Sequence, residues 1–458
     1  MLAKFVSLIF QSNVMRYTES HKYLMKKVDF EKETVDLGDV EVRNISFESK
    51  AYDLIPGAGE YKCEDHDLKF GKPRSFVFNT GHEDELIDIA DTLIPENRKF
   101  YCPVFFPKEG IRGAGNGEWG AGSREQGTGS REQGASSPQS PVPTPQSRQR
   151  LILLFHGFNE KSWDKYLPWA LRLVRDTGRP VVLFPIAFHM NRAPHYWVEK
   201  RSMFALSGKR KKHFPNAMKS SLSNVAISIR LHSQPQRFIW SGLQTYYDVI
   251  RFTELCREGK FPGIEAGCSF DFFSYSIGSL LAEILKLSNF KGYFSDSKLV
   301  MFCGGAAFNR LSAVSKFILD SEANVALYSF LVEHIDNHMK RDARLKHYLS
   351  PKHPEGLNLL SMLDYRNMRE YREEKFRQMH DKILAITLKA DKVVPTYEII
   401  NTLHGAARDI PIPVEILDFP YRYIHEDPFP ISGVPEKMVN ESFDQVFNRI
   451  AGFLTHES

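Results

Sequence analysis

Ser276, Asp391 and His425 are the residues in this sequence whose types and positions could together carry out acyl transfer. Ser276 lies in Ser274-Tyr275-Ser276-Ile277-Gly278, where the apolar run Phe270-Asp271-Phe272-Phe273 stops and Leu280-Leu281-Ala282-Glu283-Ile284-Leu285 begins a helix-like pattern. A strand turned directly into a helix presents the apex side chain to a reactant. It also requires small residues two before and two after the apex, because strand and helix nearly touch there. Ser274 and Gly278 meet that requirement, although glycine is the usual residue at the first position. A serine hydroxyl needs a base to take its proton. His425 can do this near neutral pH and hand the proton on to a leaving group. Asp391 would hold the imidazole in the required tautomer. Asp418 and His404 are rivals, one within a strand and the other in a helical stretch. An S-x-S-x-G string by itself also fits an ordinary turn, so the surrounding elements must decide.

Those elements alternate. Strands are predicted over 100–107, 151–155, 180–185, 270–273, 298–305, 382–388 and 414–419, with helices over 164–177, 241–259, 280–285 and 442–455. Residues 40–47 alternate like a half-exposed strand, and 83–93 have helical spacing. Pro103 suggests that the 100–107 strand is irregular or near an edge. Continuous apolar strands alternating with helices predict an α/β fold with a mostly parallel central sheet flanked by helices. Ligands bind such sheets at the carboxyl ends of the strands. His156-Gly157-Phe158, Ser276, Asp391 and His425 each follow a predicted strand.

The balance of 60 basic and 56 acidic side chains leaves a net charge of +4, which gives no nucleic-acid signal. No apolar run reaches the length of a membrane span. The apolar start, 1–11, reads as a first helix or strand rather than an export signal. Five cysteines without C-x-x-C spacing point to free thiols, no metal site and a cytoplasmic location. No cofactor is implied. Residues 110–150 are rich in Gly, Ser, Gln and Pro and repeat Gly-Ser-Arg-Glu-Gln-Gly, so they are expected to be disordered. On composition alone they could be an interdomain linker or an insertion within one sheet.

From about 98 to 456 the chain resembles the α/β-hydrolase superfamily. The resemblance rests on His156-Gly157, the turn around Ser276, Asp391-Lys392-Val393-Val394-Pro395 and His425, in the order Ser…Asp…His. It implies that 99–458 form one α/β-hydrolase-like domain, with 1–98 an N-terminal extension packed on it or part of it. The 110–150 segment then becomes an insertion in that domain, joined by a second insertion at 188–236 and a helical cap at 306–380. The cap's apolar face would include Phe317, Ile318, Leu327, Phe330, Leu331 and Ile335. A tetrahedral oxyanion needs two donors. The backbone N–H groups of Phe158 and Ile277 are the candidates, and His156 would shape their loop.

Within 188–236, the group from His189 to Trp197 could wall a pocket or simply pack as a loop. Lys209-Arg210-Lys211-Lys212-His213 reads as a solvated turn, or as a surface for an acidic substrate or headgroup. Arg192, Arg201 and Arg230 are candidates for a substrate carboxylate, whereas His189 and His195 make no convincing metal pair. The expected function is a serine hydrolase of the carboxylic-ester type, cleaving an ester or related acyl bond of a small molecule through an acyl-enzyme. The alternative is a catalytically silent fold used for binding or scaffolding.

Overall fold

The structure, a computed structural model, describes residues 15–54, 61–63, 68–70, 87, 89–108 and 148–456. The 110–150 insertion lies outside the described residues except for 148–150, as does the start, 1–11. Of the helix expected over 83–93, the described part contains the 3-10 turn Asp91–Leu93.

Among the described residues, nine strands form one sheet. They are β1 (Thr34–Asp36), β2 (Val40–Glu48), β3 (Lys99–Pro107), β4 (Arg150–Phe155), β5 (Val181–Phe184), β6 (Ser269–Tyr275), β7 (Leu299–Phe302), β8 (Ile383–Leu388) and β9 (Val414–Leu417). Their order is β1-β2-β3-β5-β4-β6-β7-β8-β9. The first three strands pair antiparallel with their neighbours, and β4 through β9 run parallel to one another. The fold is therefore α/β-hydrolase-like, with a mostly parallel sheet between helical layers. Alternation within the apolar strands explains their composition. Leu151, Leu153 and Phe155 join the core on one face, while Ile152 and Leu154 join that on the other.

One face carries α1 (Tyr17–Lys27), α2 (Tyr166–Thr177) and α13 (Glu436–Thr455), where Trp169, Phe443 and Phe447 pack with Phe273 and Tyr275. The other carries α5 (Arg237–Arg257) and α6 (Ile277–Ser288). Between β5 and α5 lie α3 (Lys200–His213) and α4 (Val225–Ser233). The cap region holds α7 (Ser321–Tyr328), α8 (Ile335–Arg341), α9 (Ala343–Tyr348), α10 (Pro354–Leu363) and α11 (Arg369–Arg377), followed by α12 (Thr396–Leu403) after β8. Ile318, Leu327, Phe330, Leu331 and Ile335 are buried, but Phe317 is half exposed.

Several expectations need correction. Pro103 does not mark an edge or an irregularity, since β3 pairs with β2 along its whole length. Its ladder to β5 involves only Val104 and Phe105, just past the residue that lacks an N–H. The basic run 209–213 is the last turn of α3; Lys209, Lys211, Lys212 and His213 are exposed, whereas Arg210 is buried on Asp320 with its Nη2 2.8 Å from Oδ1. Lysine and arginine at this end complement the helix dipole. Arg192 is fully buried and donates to Asp248 at 2.8 Å, and Arg230 is paired with buried Asp91. Both act as core ion pairs rather than substrate contacts. Arg201 is exposed on α3.

Glu283, on α6, is buried, and neither carboxylate oxygen has a hydrogen-bond partner among the described residues. Burial pushes its carboxyl up to about 8, with Arg372 offsetting part of that. The folded state thus holds a proton that the unfolded chain releases, so the contribution of this group to stability is greatest in acid and is lost as pH rises from about 4.5 to about 8. Glu283→Gln should remove that decline. Urea denaturation should show the variant more stable than wild type at pH 8 and equal to it at pH 4.

Candidate active site

Ser276 sits between β6 and α6 with φ 56° and ψ −125°, a conformation that costs a non-glycine residue free energy unless its surroundings enforce it. They do so at several points. Its N–H donates to Phe302 O at 3.1 Å, tying the turn to the end of β7. A Cβ on Gly278 would lie 2.7 Å from His156 O and 2.8 Å from Phe155 O, so α6 passes directly against the end of β4. A Cβ on Gly304 would overlap the Ser279 side chain and lie 2.8 Å from Ser276 O. The Ser274 hydroxyl, where glycine is usual, fits by donating to Val300 O at 3.1 Å and lying 3.1 Å from Ser279 Oγ.

The end of β8 and the loop after β9 complete a hydrogen-bonded row. Ser276 Oγ lies 2.7 Å from His425 Nε2, and His425 Nδ1 lies 2.7 Å from Asp391 Oδ2. With Nδ1 donating to the carboxylate, Nε2 is the acceptor facing Ser276. The other Asp391 oxygen accepts from the amides of Val393 at 2.9 Å and Val394 at 3.0 Å, which is how the D-x-V-V-P turn holds the carboxylate. All three side chains are at least nine-tenths buried. Asp418 instead pairs with Lys389 at 3.2 Å, and His404 donates to Ile412 O at 2.9 Å, so neither rival joins the row.

Residues outside the sequence motifs support it. The Tyr275 ring stacks on His425 at 5.6 Å, and its hydroxyl donates to His425 O. Lys165 Nζ donates to Glu426 O at 2.8 Å and lies over the Tyr275 ring. The buried Cys303 thiol faces Asp391. Burial, followed by that carboxylate, raises the thiol well above its ordinary range, keeping it a neutral donor. Tyr275 stood within the motif itself, but nothing in the sequence linked Lys165 or Cys303 to it.

His156 is fully buried and both ring nitrogens are committed to backbone. Nδ1 donates to Gly157 O at 2.8 Å, and Nε2 accepts from Ile186 N at 2.9 Å. Burial lowers its pKa well below the ordinary value, so the ring is a neutral brace for the loop. Gly157 N donates to the Tyr166 hydroxyl at 2.9 Å, and a Cβ on Gly157 would press on the Tyr275 ring at 3.1 Å. Phe158 follows at the mouth of two cavities. One, about 80 Å³, is bounded by Phe158, Ile277, Leu280, Leu281, Ile284 and Leu359. The other, about 540 Å³, lies beside Phe158 and includes His189, Asn191, His195 and Trp197 from the 188–236 insertion. Among the described residues, no group of three His, Cys, Asp or Glu side chains could hold a metal ion.

Residues 143–455 match the model of a family described as "Family of unknown function (DUF6051)". No curated protein matches the chain. Similar solved structures include an esterase of Pyrobaculum calidifontis at 11% identity and a TM-score of 0.39, covering 96% of this chain and 92% of that one. They also include a thermostable carboxyl esterase of Bacillus coagulans at 12% identity and a TM-score of 0.38, with coverage of 90% and 99%. At these values the likeness assigns no role to any residue.

The turn tolerates no added bulk at Gly278. Gly278→Ala should displace α6 from β4 and cost about 1–3 kcal/mol of stability. A thermal melt checks this, and an unchanged midpoint would show that the contact is soft.

Proposed function

The chain belongs to the DUF6051 family, whose description assigns no activity, and we propose that it is a serine hydrolase of the carboxylic-ester type. The observation that carries this reading is the buried row of Ser276 Oγ, His425 and Asp391, with both hydrogen bonds at 2.7 Å. The positive φ of Ser276 supports it, because strained backbone concentrates at functional sites and here it sits at the strand-to-helix apex.

In this mechanism Ser276 Oγ attacks the carbonyl carbon of an ester while His425 Nε2 takes its proton. Asp391 holds Nδ1–H and balances the imidazolium. The tetrahedral oxyanion accepts from the backbone N–H groups of Ile277 and Phe158, neither of which donates to an acceptor among the described residues. Collapse breaks the bond to the alcohol, which leaves with the proton from Nε2. A water, deprotonated by His425, then attacks the acyl-enzyme, and Ser276 recovers its proton as the acid departs. The small cavity running from Ile277 along α6 is apolar enough to hold the acyl group.

A fluorophosphonate probe should label the wild-type protein and leave Ser276→Ala unlabelled. A folded but unlabelled wild type would point instead to a silent fold used for binding, and an equally labelled alanine variant would mean a different nucleophile. Asp391→Asn should keep the fold but lower kcat on a p-nitrophenyl ester by on the order of 10⁴, since the amide no longer selects the Nδ1–H tautomer.

A further inference from the structure

The larger cavity has a chemistry that the hydrolytic row does not use. Its volume, about 540 Å³, lies in the range of small-molecule sites. Four of its lining residues each carry a buried polar atom without a hydrogen-bond partner among the described residues. These atoms are Trp163 Nε1, His189 Nε2, Asn191 Oδ1 and Glu96 Oε2, while Trp197 Nε1 is shared with the Tyr196 hydroxyl. Buried polar atoms are normally satisfied, so their concentration around one cavity calls for a partner.

Their polarity is mixed. The two indoles are donors. His189 Nδ1 donates to Ala187 O at 2.9 Å, and burial pulls the ring down to about 4, so Nε2 is a neutral acceptor at pH 7. Asn191 spends its amide N–H on Tyr101 O at 2.8 Å, which leaves Oδ1 as an acceptor. The basic groups of the wall are already committed. Arg230 and Arg237 both pair with Asp91, and Lys161 Nζ donates to Ser223 O at 2.6 Å. An anionic ligand therefore gains little there. A wall of aromatic faces with interspersed donors and acceptors, the carboxylates of Glu31 and Glu96 among the acceptors, suits a ring whose hydroxyls both donate and accept.

Resting on the hydrolase reading above, we propose that this cavity takes a neutral polyhydroxylated ring, and that the substrates are esters of a small apolar acid with a sugar-like polyol. The two cavities share Phe158, His189, Phe238 and Ser241. They thus meet at the loop whose amide would hold the oxyanion, with the acyl group on the Ile277 side and the polyol on the Trp163 side.

The test compares methyl 6-O-butyryl-α-D-glucopyranoside with ethyl butyrate, using active-site concentration fixed by fluorophosphonate titration. Wild type should favour the sugar ester in kcat/KM by about tenfold or more. Trp163→Phe and Trp197→Phe each keep a ring and remove one N–H, and they lie in separate apolar clusters, so failure of one to fold leaves the other informative. Each should reduce that ratio severalfold, chiefly through KM for the sugar ester. A wild-type ratio near one, or a ratio unchanged in both variants, overturns the proposal while leaving the hydrolase reading intact. If the protein neither labels nor cleaves either ester, the hydrolase reading falls. Calorimetry with methyl α-D-glucopyranoside then decides the cavity, with absence of binding overturning it and binding lost in Trp163→Phe upholding it.

Discussion

The structure depends on the close approach of backbone to backbone where β6 turns into α6. Carbonyl oxygens of Phe155 and His156 at the end of β4 occupy the space that a side chain at 278 would need, and the Ser276 carbonyl occupies that at 304. Interiors are packed as tightly as crystals of small molecules, so such a junction can neither slide nor open without moving whole elements. The consequence is a serine held at positive φ, with its N–H fixed to Phe302 and its side chain directed away from the sheet towards His425.

That fixed point makes the rest of the row achievable. A buried imidazole and carboxylate are costly unless each polar atom is satisfied, and a fully connected network is better than the sum of its pairs. Here every link ends on something rigid. Asp391 is clamped by two amides of its own turn, Cys303 follows β7 with its N–H on Ile386 O, and the His425 ring lies against Tyr275. Because Tyr275 is also the last residue of β6, the platform beneath the imidazole and the turn bearing Ser276 are the same piece of backbone. The distance between Oγ and Nε2 is therefore set by the sheet, not by loop flexibility.

The parallel half of the sheet is legible in the sequence because strands buried on both faces are apolar throughout; Ser276 and Asp391 follow such strands, whereas His425 follows the half-exposed edge strand β9. What could not be read was whatever depends on partners distant in the chain. Arg192 and Arg230 read in sequence as candidates for a substrate carboxylate, yet they neutralise Asp248 and Asp91, 56 and 139 residues away. The basic run 209–213 looked solvated, and only the fold reveals that Arg210 turns inward to Asp320. The departure at Ser274 was likewise unreadable, since the groups that receive its hydroxyl, Val300 O and Ser279, come together only when β7 lies beside β6.

The two aspects of the site are drawn from different parts of the chain. Ser276, Asp391, His425 and the Phe158 loop all lie within residues 143–455, the segment that matches the family model. The large cavity does not: Phe30, Glu31, Glu96 and Tyr101 form part of its wall, and they precede that segment. They reach it because β2 and β3 extend the sheet past β5, carrying Tyr101 to within hydrogen-bond reach of Asn191. The hydrogen-bonded row is thus built onto the parallel strands, whose register permits little change. The outer wall is carried on antiparallel strands and their connections, where residues can vary without disturbing the row at Ser276. On this division of the fold, substitutions at Phe30, Glu31, Glu96 or Tyr101 would reshape the cavity wall without reaching the row at Ser276.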